Sequence, residues 1–532
     1  RMSRPSLFAL SRRVISPSLT FRWRLPAPYD ADRMPTRPPK VSPARGLSPR
    51  AVSDLLSHAR ASNADLRPDA EPLGVALPRV TREAEARDEE GLAARLLAVW
   101  SDTVRAQVEA GTHEVSLSGG VDSAALCAMA ARHAPGKVRA WTMDVHFADA
   151  VERSNARRMA QVTGAELVDV HIPDSVLPDL FEHAVLANQT VILNARAVAS
   201  YVFYLEARRQ GAGPVLLSGA GADEVLQGTP GALASAKARV DEDRTLAVRA
   251  LRLEAMAAVD NLRAPLRAGS RDHEVPPGAA RGAVDNSGSA LDGAPHGDQE
   301  SKPSAGHVPS GNGGCDQAVG RREDSTPVDN LRTVSEHRNS DHASHGPPVD
   351  NLGTVLASLP APWELSQEEA LPSEELRYAK WVLTELILPP ELRGARAHGL
   401  TVRTPYLDEG FARVALALPE SVLLRDGFGK WLFRHAVRSL VPDEVRLARK
   451  TPRYGHTALS SPVRSRWLEL YRAWLSPSRL DSLQVINTRG VLGLMERYFR
   501  LPPDDAQAGP MDRLLMRLMS LAMLQAHTKA PP

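Results

Sequence analysis

Cysteine is almost absent from this chain. Cys127 and Cys315 are the only two in 532 residues, too few for a disulfide framework or a four-thiolate zinc site, and they suit a reducing, cytoplasmic setting. Long apolar runs are missing as well. No stretch approaches the roughly 18–20 residues that a membrane span needs, so no membrane partner is expected. Charge of one sign is lacking: 65 basic against 63 acidic residues leave a formal +2, which offers a nucleic-acid partner nothing. Acidic residues are also absent ahead of Asp30, where the chain is Arg-rich and Ser-containing. That stretch reads either as a transit peptide or as an unstructured basic tail, or as the product of a misplaced start before Met2 or Met34. Residues 1–82 as a whole are expected to form a disordered or weakly structured extension.

What is present is an alternation of strand-like and helix-like segments. Apolar residues recur at helical spacing from Glu83 to Val108. "EVSLS" then reads as a strand and Asp122–His133 as a helix. "KVRAWTMDV" follows as a strand, Glu152–Val162 as a helix stopped by Gly164, and "AELVDVHI" as a strand. Helical stretches at Pro178–Ala187 and Ala195–Arg209 precede the strand "GPVLLSG". The pattern predicts a doubly wound α/β domain: a parallel sheet covered by helices, with ligands at the carboxyl ends of its strands. Its first part is expected over 83–256. Residues 257–361 change character, being rich in Gly, Pro, Ser, Asp and His, with "VDN" recurring irregularly at Val259, Val284, Val328 and Val349. This segment is read as a disordered insertion. The six histidines from His273 to His345 have neither fixed spacing nor a thiolate partner, which argues against a metal site. A second, helical part of the domain is expected over 362–528.

Two stretches carry chemistry. In "LSGGVDS" a strand turns into a helix through Gly119 and Gly120. Free amides at a helix N-terminus favour an anion, and Ser118 and Ser123 add hydroxyls. Asp122 would repel a bare phosphate but suits one bridged by Mg²⁺. "VLLSGAGADEVLQG" repeats this logic, with Ser218 and Gly219 at a strand end and Asp223 behind them. Two such turns can face each other across a nucleotide, so that Asp122 and Asp223 share the metal. Taken alone, Asp223 and Glu224 read as helix-capping residues.

"LSGGVDS" resembles the pyrophosphatase loop (PP-loop) of the N-type ATP pyrophosphatases, which include GMP, NAD and asparagine synthetases. The second stretch is similar to one found only in the asparagine synthetases. So are "VRTPYLD" (Val402–Asp408), the lysine helix "GKWLFRHAV" (Gly429–Val437) and the lysine-bearing "LARKTPR" (Leu447–Arg453). The resemblance implies an adenine-nucleotide hydrolase-like fold with a helical C-terminal part, and a ligase that uses ATP and Mg²⁺. It implies that backbone groups of Leu117, Met143 and Gly219 hold the adenosine, with Ser218 beside it. Ser118, Gly119, Gly120, Asp122 and Ser123 would cradle the pyrophosphate, Asp122 and Asp223 would bind Mg²⁺, and Lys430 and Lys450 would neutralise the leaving pyrophosphate. The partners implied are a small carboxylate, aspartate or a related acid, and an amine or ammonia.

Departures accompany the resemblance. The chain begins Arg-Met-Ser rather than with a cysteine nucleophile. About 80 residues precede its first matched helix, too few for a glutaminase domain, so ammonia is expected from solution or from a separate glutaminase subunit. Cys127 reads as a small buried hydrophobe. The acids tied to the amine step are replaced by Ala220 and Thr401. Those replacements leave two other readings open, a β-lactam or peptide macrolactam synthetase whose acceptor amine is internal, and a non-catalytic nucleotide-binding homologue.

Overall fold

The central strands of the sheet are short and largely buried, as strands covered by helices on both faces are. The computed structural model describes residues 23–24, 46–57, 62–83, 85–86, 88–228, 231–252, 359–364, 373–449 and 456–528. All of them belong to one compact unit. Six strands, β1 (Trp23–Arg24), β2 (Glu114–Ser116), β3 (Arg139–Asp144), β4 (Glu166–His171), β5 (Val215–Leu217) and β6 (Thr401–Arg403), lie in the order β1-β4-β3-β2-β5-β6. Every pairing is parallel. The chain winds from β2 outward through β3 and β4 on one side, and returns as β5 and β6 on the other. The order therefore reverses between β2 and β5, where Val115 pairs with Leu217. In open parallel sheets that reversal opens a crevice at the carboxyl ends of the strands.

The expected doubly wound α/β architecture is present, with differences that have physical causes. The first amphipathic helix spans Glu89–Glu109 rather than starting at Glu83, because Asp88 caps it by accepting from the Gly91 amide at 2.9 Å. β6 interrupts a region read as wholly helical. Its three residues Thr-Val-Arg stop at Thr404-Pro405, and the β-branched pair was the available strand signal. Of the extension expected over residues 1–82, positions 1–22 and 25–45 lie outside the described residues, while Pro49–Ser57 form a helix that packs on the domain. Val52, Leu55 and Leu56 join the main core, and Arg244 donates to the Ser57 carbonyl at 3.2 Å. The insertion at 257–361 lies outside the described residues except for its last three, where Leu359 and Ala361 are buried. Among the described residues, no helix is long and apolar enough to cross a membrane.

Candidate nucleotide and acyl-transfer site

Helix Val121–His133 follows β2 directly and is buried almost all round, so its alanines pack where longer side chains have no room. Cys127 lies in this wall, fully buried, its thiol pushed up to about 11 by burial. The turn into the helix passes through Gly119 at φ +88°. A Cβ there would collide with the Glu152 carbonyl oxygen, so glycine is required on both counts. Ser123 closes the loop: its hydroxyl accepts from the Ser118 amide at 3.1 Å, lies 3.0 Å from the Ser118 hydroxyl, and donates to the Gly120 carbonyl at 3.1 Å.

The turn after β5 faces this loop. A methyl at Gly219 would sit 3.3 Å from the Asp122 Cβ. Ser218 is buried, and its hydroxyl accepts from the Ala220 amide at 3.2 Å. Helix Ala222–Leu226 begins at Gly221 with no side-chain cap. The Asp223 carboxylate instead meets Lys430 at 2.7 Å, while Asp122 meets the same ammonium at 2.5 Å. Lys430 is 2% exposed and takes the left-handed conformation (φ +58°) just before helix Trp431–Ala436. Strain of that kind at a non-glycine residue persists only where the surroundings enforce it. The structure therefore brings Ser118, Gly119, Gly120, Asp122, Ser123, Ser218, Gly219, Asp223 and Lys430 together. Leu117 and Met143 stand at the carboxyl ends of the neighbouring strands. Lys450 lies outside the described residues.

Three residues that were not singled out hold this arrangement. The Tyr406 hydroxyl donates to the Asp122 carbonyl at 2.9 Å, and its ring stacks on Trp100 at 4.1 Å within a cluster that includes Phe411 and Phe433. This cluster anchors the Lys430 turn to the loop after β2. Arg434, also buried, donates to the Gly429 carbonyl at 3.0 Å and to the Arg446 carbonyl, tying Lys430 to the segment that leads into Lys450. Glu391 accepts from Tyr204 at 2.5 Å and from Ser218 at 3.3 Å, and burial raises its carboxyl above the usual carboxylate range. Tyr406 lies inside a motif quoted from the sequence, whereas Glu391 carries no local signal.

The residues fit a divalent cation shared with phosphates. Two carboxylates converge on one cationic point, and the buried Asp122 Oδ1 takes no hydrogen bond among the described residues. Mg²⁺ commonly takes one or two protein carboxylates and completes its shell with phosphate oxygens and water.

The family model for asparagine synthase matches residues 94–526, and the chain belongs to that family. Comparison with curated proteins gives no match.

Proposed function

We propose that this member of the asparagine synthase family is an ATP-dependent carbon–nitrogen ligase. It activates a carboxylate, aspartate or a related acid, as the acyl-adenylate with release of pyrophosphate, then passes the acyl group to ammonia or an amine with release of AMP. The observation that carries this reading is the meeting of the loop after β2, the turn after β5 and the Lys430 ammonium at the sheet's reversal point.

The chemistry follows from where charge develops. As a substrate carboxylate attacks the α-phosphorus, negative charge accumulates on the departing β,γ-unit. The Ser118 and Ser123 hydroxyls and the amides opening helix Val121–His133 are preorganised for it. Lys430 supplies fixed positive charge, and Lys450, by the resemblance, a second. Asp122 and Asp223 would hold Mg²⁺, which when bound offsets phosphate charge. The Tyr406 hydroxyl and the aromatic cluster keep Asp122 facing the site. Ala220 and Thr401 favour a second reading, in which the acceptor amine belongs to the substrate, as in a β-lactam or macrolactam synthetase.

Exchange of labelled pyrophosphate into ATP, over a panel of carboxylates headed by aspartate, tests the activation half. Exchange with at least one acid is expected. Tight ATP binding without exchange for any acid would instead support a nucleotide-binding homologue that does not catalyse.

A further inference from the structure

The sequence "LILPPELRG" contains two consecutive prolines, which lack the amides an α-helix needs. The backbone responds with wide π-helical turns at Leu383–Ile387 and Pro389–Gly394, where the Leu388 amide reaches back to the Leu383 carbonyl. Such turns are rare and recur at functional sites. Glu391 projects from the second of them and is only half-buried.

Both of its hydrogen bonds, from the Tyr204 and Ser218 hydroxyls, fall on Oε2. Oε1 takes none among the described residues, and no lysine or arginine there forms an ion pair with this carboxylate. Because Ser218 also accepts from the Ala220 amide, the carboxylate stands two hydrogen bonds from the backbone of position 220. That is the position where the resembling enzymes carry a glutamate and this chain does not. A carboxylate has thus been brought to the same turn from another element.

We propose that Glu391 accepts the proton released when the amine attacks the acyl-adenylate. The inference rests on the ligase reading above. In the step, the amine lone pair forms the N–C bond to the acyl carbon and one N–H proton passes to Glu391 Oε1. The C–O bond to AMP breaks, and its electron pair leaves on the AMP phosphate oxygen. Glu391 then returns the proton to solvent. A base is most effective when its pKa approaches the working pH, and burial moves this carboxyl upward in that direction. The other groups facing it are Tyr204 and Arg196 from helix Ala195–Arg209 and Ser218, all three of which act in the opposite sense.

Glu391→Gln separates this role from a structural one, since glutamine still accepts from Tyr204 and Ser218 but cannot take a proton. With L-aspartate, Mg-ATP and ammonia, pyrophosphate exchange should stay within about threefold of the parent. Amide formation should fall by about 10²-fold or more and lose its acidic limb. Tyr204→Phe removes a donor to the carboxylate and should move that limb to higher pH. Amide formation at the parental rate in Glu391→Gln would overturn the proposal. So would exchange and amide formation falling in equal proportion, which would mark Glu391 as a structural support for Ser218. If the parent itself shows no exchange with any acid, the ligase reading fails and this proposal fails with it. Parental exchange with an unaffected glutamine variant isolates the failure to Glu391.

Discussion

Lys430 concentrates the physics of the site in one side chain. Its ammonium is withdrawn from water between two carboxylates, and removing one partner from such an arrangement leaves uncompensated charge. Lys430→Ala should therefore lower stability by roughly 3–5 kcal/mol in urea unfolding and cut pyrophosphate exchange by about 10²–10³-fold. With the lysine gone, the carboxylate pair should bind divalent cations more readily. Mg²⁺ should then raise the melting temperature of the variant more than that of the parent. Equal shifts would place the cation elsewhere. Asp122→Asn and Asp223→Asn each remove one charge from this site and should weaken Mg-ATP binding by calorimetry while leaving AMP nearly unaffected. Equal losses for ATP and AMP would remove both residues from the metal site.

At the scale of elements, two helices show how distant segments are fastened. Helix Ala508–Ala526 buries Asp512, which accepts from Tyr471 at 2.7 Å and Tyr498 at 2.5 Å and meets the Ala458 amide at 3.4 Å. These bonds join three helical regions to the chain that emerges after the Lys450 segment. Burial pushes the Asp512 carboxyl up to about 6 from 3.8. The folded state thus holds this proton more tightly than the unfolded chain. Its contribution to stability is full below about pH 4 and falls by on the order of 3 kcal/mol as pH rises to about 6. Asp512→Asn keeps an oxygen for both tyrosines and carries no charge, so urea unfolding should show a flatter pH dependence than the parent over that window. Asp512→Ala strands two hydroxyls and should cost roughly 2–4 kcal/mol at the acid end, a cost that shrinks as pH rises to about 6 and the parent loses its own contribution. In helix Pro49–Ser57, Leu56 is fully buried. Leu56→Ala should cost about 2–5 kcal/mol, an effect that a loosely attached extension would not show.

For the whole molecule, the clearest question is how the two halves of the domain are joined. Arg244 donates to the Leu359 and Pro360 carbonyls at 2.8 and 2.5 Å, and the helix that carries it, Ala232–Ala250, leads to Arg252. The chain therefore re-enters beside the helix it leaves, about 9 Å along its axis from the helix end at Ala250 at 1.5 Å per residue. An eight-residue Gly/Ser linker has a typical span of about 16 Å, so replacing residues 260–355 with one should preserve a single cooperative thermal transition near the parental midpoint. Loss of soluble protein would show that the replaced segment contributes to the core.

The sequence by itself determined the α/β alternation, because apolar period and Gly-containing turns are local properties. It also determined which hydroxyls, amides and carboxylates stand in the loops after β2 and β5, since these are supplied within a few consecutive residues. Only the tertiary structure decided which cation meets those carboxylates. Lys430 stands 308 positions from Asp122 and reaches it through a left-handed turn held by aromatic packing. It alone decided that residues near position 50 belong to the core, because burial depends on what packs against a helix and not on its composition. And it alone placed Glu391 beside Ser218, 173 residues away. A carboxylate's neighbours across a sheet are set by the order of its strands, and that order is not written in any single stretch of the chain.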